Sequence, residues 1–241
     1  MKFGFLCSAG GSPVFSALSI LFKLNYIDKS DIKILTDRDS IALNTAVKNG
    51  IECRKIEWTN KSDFSKKAFD YFNDCEATLL LYSRLVSEEL YLNMPTLNIH
   101  PSLLPVFKGQ GALNKAYEFK VRFLGASLHI VDNTVDGGNL ISQIVMPIPF
   151  NSNLDYINKI SYLEKTYLVL LYIEFIKEKI IKIDFKNSNF DFLKSHNYNK
   201  FANPCIISKD IQTEYNNLVR ENLCKYSKDK NFNIIYDNLG E

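Results

Sequence analysis

The chain has 241 residues, 46% of them hydrophobic and 23% charged, with a net charge of +2. That is the profile of an ordinary soluble domain able to bury its own core, and so balanced a charge carries no polyanion-binding signature, so no nucleic-acid partner is expected. The five cysteines, Cys7, Cys53, Cys75, Cys205 and Cys224, are odd in number and scattered, which argues against a disulfide framework or a zinc site and for a reduced, cytoplasmic compartment.

Strand-like and helix-like segments alternate from the start. "KFGFLC" reads as a strand, "SAGGSP" as a glycine turn and "VFSALSILFKLNY" as a buried helix. The opening stretch lacks the longer apolar region and cleavage site of a signal peptide. "IKILTD" is a second strand, "SIALNTAVKNG" a helix closed by Gly50, and "IECRKIEW" a third strand. "KSDFSKKAFDYFNDC" is an amphipathic helix with Ser62 at its N-cap. "ATLLLY" is a strand with polar residues only downstream, as expected of a sheet covered on both faces, and "TLNIHP" follows as the fifth. "ASLHIVD" and "NLISQIVMPI" follow as the sixth and seventh.

"TYLVLLYIEFIKEKIIKI" comes nearest to a membrane span, but Glu174, Lys177, Glu178 and Lys179 interrupt it at helical spacing. It reads as a core helix with one wet side, and no membrane partner is expected. From residue 186 the composition shifts to Asn, Lys, Tyr and Ser, with one helix, "KDIQTEYNNLVRENLCKY". The order predicts an α/β fold: a doubly wound, mostly parallel, Rossmann-like sheet of about seven strands with helices on both faces. The organisation is a catalytic domain over 1–185 and a C-terminal extension over 186–241 that forms a dimer edge or contacts a nucleotide.

In such sheets ligands bind beyond the carboxyl ends of the strands. The "SAGGS" loop, the end of "LLLYSR" and the "NIHP" corner all fall on that edge. Asn98 and His100 stand at i and i+2 of one strand, so an amide and an imidazole share a face. Pro101 and Pro105 force a turn directly after them. In "HIVDNTVDGG", Asp136 precedes Gly137 and Gly138 in a turn able to approach a ligand. Beside an imidazole, such a carboxylate favours the protonated ring, which can donate to a developing oxyanion. Asp132 is the alternative carboxylate, and His129 reads as a packed strand residue.

"LNIHPSLLPVFKG", with "VDNTVDGG" some 25 residues later, resembles the formyltransferases that use 10-formyltetrahydrofolate. The resemblance covers roughly residues 1–180 and is strongest over 76–148. It implies that Asn98, His100 and Asp136 are the catalytic residues, that Ser127 supports the histidine, and that no metal is used. It also implies a cosubstrate pocket at Arg84, Leu85, Asp132 and Val135, formed largely by backbone groups and apolar walls.

The same resemblance assigns Gly10, Gly11, Ser12, Gly109, Gln110 and Glu164 to the amine substrate. Family members acting on glycinamide ribonucleotide carry a phosphate cradle after the first strand, where Pro13 here removes one donor. They also have a His-rich segment where this chain reads "KGQGALNKAY", closer to enzymes that formylate amino sugars or aminoacyl-tRNA. Glu164 points the other way, since it matches a ribose-contacting glutamate. The tail is too short and too little basic for the added domain of the methionyl-tRNA enzyme.

The expectation is formyl transfer to a nucleotide-linked amino sugar of bacterial surface polysaccharide such as lipopolysaccharide O-antigen, with the tail supporting a homodimer. Glycinamide ribonucleotide formylation is the alternative, and a non-catalytic folate-binding or scaffold module the second. Tyr198 and Phe201 either stack on a base or pack as ordinary aromatics.

Overall fold

The computed structural model describes residues 1–8 and 10–224. Strands β1 (Phe3–Cys7), β2 (Ile32–Thr36), β3 (Glu52–Lys55), β4 (Ala77–Leu81) and β5 (Thr96–His100) run parallel in the order β3-β2-β1-β4-β5. Strands β6 (Phe123–Ile130) and β7 (Leu140–Pro147) continue the sheet antiparallel. Helices α1 (Ser12–Lys23), α2 (Ile41–Lys48) and α6 (Leu154–Lys177) cover one face. Helices α3 (Lys61–Phe72) and α4 (Glu88–Tyr91) cover the other, so the central strands β1, β2 and β4 are dry on both faces, while the edge strand β3 keeps Glu52, Arg54 and Lys55 exposed. The short α5 (Ala112–Glu118) follows the prolines after β5.

β1 shows how alternation divides the core. Phe3, Phe5 and Cys7 face α1 and α6, while Leu6 faces α3. Gly4 is glycine because a Cβ there would lie 2.8 Å from the Phe72 ring, so any larger residue pushes α3 off the sheet. The N-cap of α3 lies two positions earlier than predicted: Asn60, not Ser62, caps the helix and accepts from Asp63 N at 2.9 Å. Ser62 instead donates to Glu89.

The C-terminal part departs most from expectation. A hairpin, β8 (Ile181–Asp184) with β9 (Asn189–Phe192), straddles the predicted boundary at 185/186. Then β10 (Ala202–Asn203) joins the main sheet beside β7, making eight strands rather than seven. Two residues are too few to show a period, which is why the eighth strand is silent in sequence. α7 (Lys209–Leu223) packs across α6 and α1.

That packing corrects the expected wet side of α6. Glu174 is 2% exposed, and its carboxylate accepts Ile207 N at 2.8 Å and Ser208 N at 2.7 Å. Two charge-assisted bonds thus fix the chain just before α7. No helix among the described residues is long and apolar enough to cross a membrane.

Candidate active site

The prolines after β5 and the antiparallel pairing with β6 build the polar corner. Asn98 pairs with His129 in register and His100 pairs with Ser127, so four polar side chains stand on one face of two buried strands. A turn closes over them. Ser127 Oγ donates to the Ser102 carbonyl at 2.7 Å and accepts from Leu104 N at 3.0 Å, and Gln143 Nε2 donates to it at 2.9 Å. Ser127 therefore holds the turn that follows His100 and makes no bond to the ring. Gly125 lets this turn pack, because a Cβ there would sit 2.4 Å from Leu103.

Asp136 arrives from the loop between β6 and β7. Its φ of 49° is in the left-handed region that Asp tolerates. Behind it, Gly138 lies so close to Ile130 that a Cβ would be 2.0 Å from the Ile130 carbonyl oxygen. Gly138 is thus a requirement of the turn that aims the carboxylate, while a Cβ at Gly137 would crowd the Thr134 hydroxyl at 2.3 Å.

The corner then closes. Asp136 Oδ2 lies 3.1 Å from His100 Nδ1 and accepts Gly109 N at 2.8 Å. Asn98 Nδ2 is 3.4 Å from Asp136 Oδ1 and 3.1 Å from His129 Nε2. His129 Nε2 stands 3.6 Å from Asp136 Oδ1, and its Nδ1 meets the Ile130 carbonyl at 2.9 Å. Burial opposes ionisation of Asp136. The His129 ring, the Gly109 amide and the His100 charge outweigh it and hold the carboxyl below its usual range. His100 Nε2 is 2.8 Å from the Phe107 carbonyl, so both ring nitrogens face acceptors and a proton on each satisfies both. His100 thus does not point a free N–H into the crevice, as its place in the sequence suggests, because the returning chain reaches it first.

The corner opens into a crevice of about 850 Å³ at the carboxyl ends of β4 and β5, within the range of a cofactor-sized site. Of the residues expected to bind, Arg84, Leu85, Asp132, Val135, Gly109 and Gln110 line it. Gly10, Gly11, Ser12 and Glu164 do not. Gly11, at φ 62°, is committed to starting α1 and packs against Ala42 and Phe15. Pro13 sits in the first turn of α1, where no amide can be offered.

Glu164 is 0% exposed inside the core, and neither carboxylate oxygen has a hydrogen-bond partner. Burial pushes its carboxyl well above the usual range, with only partial offset from the Met146 backbone and Lys165. Tyr198 is 78% exposed, while Phe201 packs partly buried on the core.

Two site residues are invisible to motif reasoning. His129 reaches the corner because it is the cross-strand neighbour of Asn98, and the clue is a polar pair, Ser127 and His129, on an otherwise apolar strand. Arg38 lines the crevice and grips Asp37 through Nε at 2.7 Å and a terminal nitrogen at 2.6 Å. Arg84 Nε lies 3.2 Å from the same carboxylate while its guanidinium covers the Trp58 ring at 4.5 Å. Asp37 is buried, which opposes ionisation, yet Arg38, Tyr82 and Arg84 together hold it below its usual range.

Burial pushes the Cys7 thiol up to about 12, so this cysteine at the end of β1 is no nucleophile. Among the described residues no group of three or more His, Cys, Asp or Glu could hold a metal.

The family profile described as formyl transferase matches residues 1–171. The chain belongs to that family. Phosphoribosylglycinamide formyltransferase of Bacillus subtilis is 31% identical over 107 residues, which are 42% of this chain and 55% of that protein. Mitochondrial formyltetrahydrofolate deformylase 2 of Arabidopsis thaliana is 27% identical over 148 residues, 58% of this chain and 45% of that one. The chain thus spans about half the length of these two relatives. In fold, glycinamide ribonucleotide transformylase 1 from Symbiobacterium toebii superposes with a TM-score of 0.70 at 23% identity, covering 80% of this chain and 94% of that chain.

Proposed function

We propose that the protein transfers a formyl group from 10-formyltetrahydrofolate to the amine of a nucleotide-linked amino sugar. The observation that carries formyl transfer is the closed corner itself: Asp136, 38 residues from Asn98 in the chain, lies 3.4 Å from Asn98 and 3.1 Å from His100. The amine nitrogen attacks the formyl carbon, and the carbonyl oxygen becomes an oxyanion. Asn98 donates to that oxygen, and His100, held between Asp136 and the Phe107 carbonyl, supplies positive charge beside it. Asp136, held ionised, takes the proton shed by the amine, directly or through a water, and the departing folate nitrogen takes it as the carbon–nitrogen bond breaks. The products are a formamide and tetrahydrofolate.

The folate would lie along Leu85, Val131 and Val135, whose apolar side chains and adjoining backbone suit a flat heterocycle. Preference for an amino sugar over a ribonucleotide rests on two positions. Pro13 withdraws a phosphate donor, and Glu164 is enclosed where no ribose hydroxyl reaches it. The ribonucleotide reading is favoured by the 31% identity to the Bacillus enzyme. The deformylase relatives add water as a third acceptor to test.

The experiment is formyl transfer from 10-formyltetrahydrofolate to glycinamide ribonucleotide, to 3-amino- and 4-amino-dideoxy sugar nucleotides, and to water. Turnover with a sugar nucleotide is expected. Turnover with the purine precursor alone reverses the substrate assignment, and release of formate alone reverses the acceptor.

A further inference from the structure

We infer that the hairpin β8–β9 is a positioning element of the formyl-transfer site, acting through Ser188 and Asn189 on the loop that carries Asp136. The inference rests on the proposed role of that loop and adds a control point outside the catalytic corner.

The hairpin has a fixed footing. Phe192 meets Phe175 of α6 edge-on with ring centroids 6.3 Å apart, and Leu193 N donates to the Ile180 carbonyl at 2.8 Å. Its turn is braced from within, since Asn187 Nδ2 donates to Asp184 Oδ2 at 2.7 Å. Ser188 then adopts φ 51°, a left-handed conformation that Ser takes at a cost and that turns its hydroxyl outward from the hairpin.

From this footing two side chains reach the site loop at both ends. Ser188 Oγ donates to Asp132 Oδ2 at 3.4 Å, and Asn189 Oδ1 accepts Asn139 Nδ2 at 3.3 Å. Asp132 uses its other oxygen to hold Thr134 N at 2.8 Å and Thr134 Oγ1 at 2.6 Å, which sets the turn leading into Asp136. Asn139 closes the same loop by accepting Ile130 N at its carbonyl, 3.0 Å. The chain of contacts therefore runs from α6 to the hairpin, to Asp132 and Asn139, and so to Asp136 and the crevice wall. A polar contact at each end of an eight-residue loop limits how far Asp136 can drift from His100, and small displacements of a reacting group are costly.

The test uses the full chain with Ser188→Gly/Asn189→Ala, and with Ser188→Asn as the rescue. Glycine suits the positive φ while removing the hydroxyl, and asparagine suits it while restoring a donor. The first readout needs no ligand. Amide hydrogen exchange at Thr134 and Gly109 is expected to speed up about 5-fold in the double variant, the change one net hydrogen bond produces, and to return towards wild type in Ser188→Asn. Exchange within Ile181–Asp184 stays unchanged.

The second readout is titration with 5-formyltetrahydrofolate, which is expected to bind about 5-fold more weakly to the double variant at an unaltered melting temperature. Unchanged exchange at both amides overturns the inference, as does equal acceleration in the hairpin, which marks general loosening. Wild-type protein that binds no folate refutes the functional reading, while the exchange result still decides the positioning role.

Discussion

Two loops leave the same edge of the sheet, and they have opposite characters. The Gly10–Ser12 loop after β1 and the Asn98–His100 corner at the end of β5 both lie where doubly wound folds bind ligands. At the corner, every polar side chain meets another, and in the approaching loop Gly138 is pressed against the Ile130 backbone and Gly137 against the Thr134 side chain. At Gly10 a Cβ would meet nothing within 4 Å, the following proline offers no amide, and the glutamate that resemblance assigns to this side is sealed in the core. Position on a sheet edge thus makes a site available, while converging polar groups on buried strands make it a built one.

The contrast breaks most readily at Asn98. Asn98→Ala should cost about 100- to 1000-fold in kcat/KM for formyl transfer, the usual loss on removing one oxyanion donor, with the melting temperature near wild type. A steady-state assay checks this, and a loss under fivefold removes Asn98 from the chemistry. Next comes Gly138→Ala. Its Cβ would meet the Ile130 carbonyl at 2.0 Å, so destabilisation of about 1–3 kcal/mol is expected, as for overpacking generally. Gly10→Ala is its control and should leave the urea midpoint unchanged.

A smaller effect separates the two carboxylates. Glu164 has its folded pKa raised, so above its unfolded value of about 4.3 the unfolded chain is ionised where the folded one is not. Stability therefore falls as pH rises, and Glu164→Gln should stabilise the protein more at pH 8 than at pH 4. Asp136 runs the other way. Its folded pKa is lowered, so its contribution is present above the unfolded value of about 3.9 and is lost as pH falls through the folded one. Denaturant melts of Asp136→Asn should differ from wild type more at pH 6 than at pH 3.

Sequence made the corner legible because its signals are local. Asn98 and His100 share a face by strand periodicity, and the prolines and the glycine pair announce turns at the right ends. Cross-strand partners are not local, so His129 reads as filler until β6 is laid beside β5. Glu174 reads as a wet residue until α7 covers it, since only tertiary packing shows that two backbone amides wait there. The boundary at 185/186 follows a real change in composition, but a hairpin turn produces the same change as a linker.

Single-turnover transfer of formyl from 10-formyltetrahydrofolate to an amine, run with wild type and Asp136→Asn beside a folate-binding titration, is the most direct trial. If one carboxylate both orients the imidazole and receives the amine's proton, the variant should bind folate normally and transfer at least about 100-fold more slowly, within the span of a general base. Transfer at the wild-type rate by a variant lacking that charge would contradict the account at its root.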